Sequence, residues 1–304
     1  MTVGWLFPGQ GSQMIGMGQA LAERYPAAAE AFDEASAALG LDLRALCWDG
    51  SQSELDRTAN AQPAILCTSL AALRAALAER LEPGTPICLG HSVGEFSALA
   101  AAGAFRLADA VRLVRRRGEL MQAADVSGGM AAVMGLEADA IERAIEGTGL
   151  VLANDNAPGQ VVISGPLAAF ARAAERLKEA GARRVLPLRV SGAFHSPAMR
   201  AVAPELAAAI AATPLGALRY RVIANVDAET HAHAADFPPL LELQVSSPVR
   251  WVASVRRAWR EGARHFIEFG AGNVLTGLVK RIIPEATTAN VSDPVTLEEA
   301  LRAS

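Results

Sequence analysis

Two textures alternate along the chain. Short, almost wholly apolar runs such as "VGWLF" (3–7), "PICL" (86–89), "YRVIANV" (220–226) and "HFIEFG" (265–270) are separated by longer stretches with apolar residues every three or four positions. The second texture predicts helices over "GQALAERYPAAAEAFDEASAAL" (18–39), 62–81, 197–212 and 248–261. The first predicts strands buried on both faces, as in a parallel sheet covered by helices on either side.

Between 124 and 189 the pattern changes. "SGGMAAVMGL" (127–136), "LVLANDNAPGQVVISG" (150–165) and "RRVLPL" (183–188) read as strands, with helical spacing at 137–147 and 167–180. This β-α-β-α-β pattern resembles a small ferredoxin-like unit inserted into the larger domain. The fold class is therefore α/β. Residues 1–123 and 190–304 form the large parallel-sheet domain, and 124–189 the insertion.

Composition narrows the function. With 51% hydrophobic and 20% charged residues, the 304-residue chain is that of a packed globular protein. A net charge of −4 gives no reason to expect nucleic acid or an anionic membrane as partner. The N-terminal "MTVGWLFPGQG" lacks the basic start of a signal peptide, and no apolar run looks long enough to span a bilayer. Cys47, Cys67 and Cys88 lack CxxC spacing, so neither zinc nor a disulfide framework is expected, and the cytoplasm is the expected compartment.

The chemistry begins at "CLGHSVGEFSALAAAG" (88–103). Strand, Gly-x-Ser-x-Gly and helix follow one another, the context a nucleophile elbow requires. Gly90 and Gly94 let strand and helix approach, while Ser92 sits at a helix N-terminus that favours negative charge. Val93, Phe96, Leu99 and Ala100 would fall on the buried face of an amphipathic helix, and the Val93 N–H would point toward an oxyanion. The plainer reading is a serine N-cap with glycines chosen for packing. A serine nucleophile also needs a base. His91 directly precedes it and reads as structural; His231 and His233 lie in a solvated loop, with a metal reading the lesser one; His265 opens a strand. His195, in "VSGAFHSPAM" before Pro197, is equally readable as a base or as a helix-entry residue.

Seven collinear motifs resemble the malonyl-CoA:acyl carrier protein transacylase family. They are "FPGQGSQ" (7–13), "AQPAI" (61–65), "GHSVGE" (90–95), "RRGELM" (116–121), "NDNAPGQVVISG" (154–165), "GAFHSPAM" (192–199) and "QVSSPVRW" (244–251). The resemblance implies an α/β-hydrolase-like domain carrying a ferredoxin-like insertion. It implies Ser92 as acyl-accepting nucleophile, His195 as general base, and the backbone N–H groups of Gln10 and Val93 as oxyanion hole. The Gly-rich loop at 8–13 is then no nucleotide cradle; Met14 stands where GxGxxG needs its third glycine. Arg117 matches the arginine that binds the free carboxylate of malonate, although Arg115-Arg116-Arg117 alone would read as a solvated basic run. A charged contact of that kind contributes roughly 1.5–3 kcal/mol, enough for tens-fold selection of malonyl over acetyl. Phe194 and Met121 match substrate-pocket positions, and Gln244 the position whose main-chain carbonyl orients the histidine. Asn154, Asn156 and Gln62 are expected to support the loop under the site. Val93, Phe96 and Ala193 depart mildly from the family, which bears on acyl preference.

The implied reaction is ping-pong transfer of malonyl from malonyl-CoA to the phosphopantetheine thiol of a holo acyl carrier protein, with no metal or bound cofactor and a monomer by default. A trans-acting acyltransferase of a polyketide pathway would look similar. A serine hydrolase would place an acid between Ser and His and its histidine later in the chain, and an inactive carrier-binding module would have lost Ser92, His195 or Arg117. The carrier is expected to be acidic, which nominates Arg183, Arg184, Arg189, Lys280 and Arg281 as docking residues.

Overall fold

β1 (Thr2–Phe7) and β2 (Thr85–Gly90) begin a sheet that β7 (Arg221–Ile223), β8 (Thr230–His231), β9 (His265–Phe269) and β10 (Thr287–Val291) complete. The structure, a computed structural model, describes residues 2–82, 84–124, 127–188, 190 and 192–303. The strand order is β10-β9-β1-β2-β7-β8, and every pair is parallel except β7 with β8. Side chains alternate across this sheet. Trp5, Phe7, Cys88 and Val222 pack on one face, while Leu6, Ile87, Leu89 and Ile223 pack on the other. Burial on both sides is why these strands read as unbroken apolar runs.

Helix Thr58–Ala78 lies against helices Pro26–Leu39 and Leu107–Ala124. By length and composition it could cross a membrane, contrary to the sequence expectation, but 83% of its apolar window is buried inside the protein. The helix after the elbow, Gly94–Ala102, also differs from expectation. All nine residues are buried, Glu95 and Ser97 included, so it is a core helix and not an amphipathic one.

β3 (Gly128–Met134), β4 (Val151–Ala157), β5 (Gln160–Pro166) and β6 (Arg184–Pro187) form a separate antiparallel sheet in the order β4-β5-β3-β6. The stretch 150–165, read as one strand, is two: Pro158 and Gly159, the latter at φ +69°, turn it into a hairpin. The pattern is thus β-α-β-β-α-β, with helices Ala138–Ile145 and Phe170–Glu179. Their contact face forms its own core, including Val133, Ile141, Ile163 and Leu177.

Two predicted helices start late. Residues 197–202 form a 3-10 turn before helix Ala203–Ala212, and residues 248–250 stay out of helix Trp251–Arg260. In the second case Val249 is drawn onto β4: its N–H donates to Ala153 O (2.8 Å), and Asp155 N–H donates to Val249 O (3.0 Å). The loop before it is thereby tied to the small sheet.

Candidate active site

Three neighbouring parallel strands end level with one another. Phe7 pairs with Gly90, and Leu89 with Ile223. Gln10, Ser92 and Asn225 therefore emerge side by side just past the carboxyl edge of the sheet, the usual place for a site in an open α/β fold. The elbow admits no side chain at its glycines. A Cβ on Gly90 would stand 1.9 Å from the Gly94 carbonyl, and one on Gly94 2.1 Å from Phe7 O. Ser92 at the apex has φ +54°, a left-handed value that a non-glycine residue rarely adopts.

His195 also has a positive φ, +56°. Its Nε2 lies 2.8 Å from Ser92 Oγ, and its Nδ1 faces two main-chain carbonyls, Gln244 O at 2.9 Å and Ser247 O at 3.1 Å. A carbonyl only accepts, so Nδ1 carries the proton and Nε2 is left to accept from the serine hydroxyl. Burial, reinforced by the nearby Arg117 cation, pushes the His195 pKa down to about 3. The imidazole is therefore neutral and able to take a proton. Among the described residues no carboxylate touches Nδ1; the two carbonyls fix the tautomer.

Arg117 is 1% exposed, unlike its sequence neighbours. Arg115 and Arg116 turn outward to Glu119 and Glu205, whereas Arg117 Nη1 donates to Gln62 Oε1 (2.8 Å) and Nη2 to Gln244 Oε1 (2.9 Å) and Ser92 Oγ (3.2 Å). The helical turn of Leu107–Ala124 separates adjacent positions by about 100°, enough to bury one arginine of three. Burial lowers its pKa to about 10, opposed by Glu95, so it remains a cation at neutral pH. Among the described residues it forms no ion pair with a carboxylate; its partners are neutral.

A cavity of about 420 Å³ joins Ser92, His195 and Arg117 to Gln10, Met121 and Phe194. Ser92 N–H is committed to Asn225 Oδ1 (2.8 Å). The N–H groups of Gln10 and Val93, in contrast, donate to no protein group among the described residues. Two free donors beside a hydroxyl and a neutral imidazole can stabilise the oxyanion of an acyl transfer. A second cavity, about 590 Å³, reaches His195 from the side of helix Ala138–Ile145 and β4.

The supporting residues divide. Asn156 Oδ1 meets His91 Nε2 at 2.8 Å, holding the residue before Ser92 to the small sheet, and the His91 ring packs on Trp251. Asn154 lines the cavity and bridges to Val249. Gln62 supports no loop: it lies in helix Thr58–Ala78, and its amide holds Arg117 and approaches Met121 Sδ. His231 bonds Asp227 and Asp236 from the short strand β8, not from a loop, and His265 is tied to Thr287. Arg183, Arg184 and Arg281 border one cavity of about 610 Å³ near the 158–159 turn; Lys280 turns to Ala286 O, and Arg189 lies outside the described residues. Asn225 and Glu95 were missed as site residues. Asn225 follows a parallel strand at the sheet's carboxyl edge, and Glu95 lies within the elbow motif itself, so both positions carried a signal.

Known proteins resemble this chain over nearly its whole length. Residues 4–297 match the model of the acyl transferase domain family. The malonyl CoA-acyl carrier protein transacylase of Bacillus subtilis is 44% identical over 99% of this chain and 96% of its own length. A solved acyl-carrier-protein S-malonyltransferase from Burkholderia pseudomallei superposes with a TM-score of 0.96 at 41% identity, covering 99% of this chain and 100% of that one. A type II PKS acyl-carrier protein in complex with its malonyl-transacylase also gives 0.96, at 38% identity and full coverage of both chains.

Proposed function

Since the chain belongs to the malonyl CoA-acyl carrier protein transacylase family, we propose that it moves a malonyl group from malonyl-CoA to the phosphopantetheine thiol of an acyl carrier protein through a malonyl-Ser92 ester. Ser92 Oγ attacks the thioester carbonyl as its proton passes to His195 Nε2. The N–H groups of Gln10 and Val93 receive the developing oxyanion. Collapse breaks the C–S bond, and the departing CoA thiolate takes the proton from His195. The second half runs in reverse: His195 deprotonates the carrier thiol, which attacks the ester and releases Ser92.

The observation that carries the malonyl assignment is Arg117, a buried guanidinium 3.2 Å from the serine hydroxyl whose hydrogen-bond partners among the described residues are all neutral. A buried cation without an ion pair suits a substrate that brings its own carboxylate. The cavity that joins Arg117 to Ser92 suits the acyl group, and the second one at His195 suits the arm bearing the thiol. All these groups come from one chain, which supports a working monomer, and the reaction draws on no metal or bound cofactor. Malonyl-CoA and carrier proteins are shared by fatty acid and polyketide synthesis, and the site serves either in the cytoplasm. The arginines at 183, 184 and 281 offer the basic surface that an acidic carrier would meet.

Intact-protein mass spectrometry tests the reading. The chain is mixed with malonyl-, acetyl- and methylmalonyl-CoA in competition, then chased with holo carrier protein. A malonyl adduct that passes to the carrier is the expected result, absent in Ser92→Ala. Arg117→Ala should lose malonyl loading by tens-fold or more while keeping acetyl loading. An adduct decaying to free acid would make the protein a hydrolase, and equal losses on both acyl groups would remove Arg117 from substrate recognition.

A further inference from the structure

Glu95 takes no part in the steps above, yet its carboxyl is fully buried three residues past Ser92. Oε2 accepts from Gln244 Nε2 at 2.6 Å and from the Asn225 main-chain N–H at 3.1 Å. Oε1 has no partner among the described residues. A half-satisfied buried carboxyl is costly, and such a cost calls for a compensating role.

The neighbours supply one. The Gln244 amide has two ends of opposite polarity and is surrounded accordingly. Its Nε2 faces acceptors: Glu95 Oε2, Ser92 O at 3.0 Å and Asn225 Oδ1 at 3.4 Å. Its Oε1 faces the Arg117 guanidinium. Turned over, the amide would point N–H groups at a cation and its oxygen at three acceptors. Glu95 provides the shortest of the contacts that prevent this. Arg117 then depends on Gln62 and Gln244 for its position, and Gln244 depends on Glu95.

We propose that Glu95 is a positioning residue for acyl selection: by holding the Gln244 amide in one orientation, it keeps the Arg117 guanidinium where a carboxylate on the acyl group can reach it. The proposal rests on the malonyl-transfer reading. Glu95 itself does not line the cavity that holds Ser92, His195 and Arg117. Its effect should therefore show in which acyl group is loaded, more than in how fast Ser92 reacts.

The test measures Ser92 loading from malonyl-CoA and from acetyl-CoA with the full chain, resolving KM and kcat. Glu95→Ala is expected to raise KM for malonyl-CoA about tenfold with a much smaller change in kcat, so that the malonyl-to-acetyl ratio of kcat/KM falls about tenfold. Gln244→Met cuts the same chain one link further on, while its main-chain carbonyl still holds His195; it should lower the ratio similarly, and it carries the test if Glu95→Ala does not fold. Glu95→Gln keeps an oxygen for Gln244 Nε2 and should restore the ratio to within about threefold of the parent. Equal losses on both acyl groups, or an unchanged ratio in Glu95→Ala and Gln244→Met, would overturn the proposal. A parent chain that loads malonyl no better than acetyl would instead overturn the functional reading on which it rests.

Discussion

Ser92 and His195 meet at 2.8 Å with nearly the same backbone strain, φ +54° and +56°, but the two regions that hold them are built differently. The elbow is held locally. The turn itself is set by Gly90 and Gly94, which press strand, turn and helix together within five residues, while Asn225 and Gln244 add bonds to the Ser92 main chain from elsewhere. The histidine loop is held from a distance. His195 N–H donates to Val245 O, and Nδ1 donates to the carbonyls of residues 244 and 247, about fifty positions along the chain. That second segment is tied in turn to the small sheet through Val249. The nucleophile's geometry therefore comes from its own motif. The base's geometry is assembled from three parts of the fold, and the two should respond differently to substitution.

The largest effect should come from breaking the elbow. In Gly90→Ala the new methyl would meet the Gly94 carbonyl carbon and oxygen at 1.9 Å and Glu95 N at 2.2 Å, all main-chain atoms that cannot turn aside. We expect a loss of roughly 4 kcal/mol or more of stability and no detectable acyl-Ser92. Thermal unfolding and intact mass would check this. A Gly90→Ala protein that melts like the parent and still loads malonyl would show that the elbow has slack the geometry denies.

The same contrast explains what could be read in the sequence. The elbow was legible because its requirements lie within a few residues: a short apolar strand, two glycines and a helix. The parallel sheet was legible for a similar reason, since strands buried on both faces read as continuous apolar runs. His195 was locally ambiguous, because nothing around it in sequence reveals Gln244 O or Ser247 O; only resemblance to a family singled it out. Arg117 looked like one of three solvated arginines, and helical geometry alone buries it. The hairpin at 158–159 is marked by Pro-Gly, a turn signal set inside an otherwise continuous run of strand-forming residues. Glu95 stands in a motif that flags its position, but its role lies in its partners Gln244 and Asn225, which are distant in sequence.

A smaller effect should follow from loosening the histidine loop. Ser196 Oγ donates to Ala193 O at 2.7 Å and accepts from Ala198 N–H at 3.3 Å, closing the turn around His195 and capping the 3-10 segment that follows. Ser196→Ala removes both bonds but leaves the three main-chain contacts of His195 in place. Stability should fall by about 1 kcal/mol, as for loss of a helix cap, and kcat by a few fold through a less ordered imidazole. Both are measurable by denaturant titration and steady-state kinetics. A kcat loss matching that of His195→Ala would mean that the loop, like the elbow, is held by its own residues.

The smallest expected effect is none, and it tests whether His195 is as enclosed as its contacts indicate. An exposed imidazole is half protonated near pH 6.5, and a base of that kind loses activity as the pH falls through that value. Burial together with the Arg117 cation holds the His195 pKa down at about 3. The sign follows directly: protonation inactivates the base, and over the range from pH 7.5 to 5.5 the folded enzyme keeps it unprotonated. The rate of Ser92 loading should be followed with acetyl-CoA, which has no acyl carboxylate, so that titration of Glu95, whose pKa burial raises to about 7, does not enter through Arg117. The profile of kcat/KM should then be flat across that interval. An acid limb centred near 6.5 would mean that water reaches His195, and that the remote carbonyls hold it more loosely than the glycines hold Ser92.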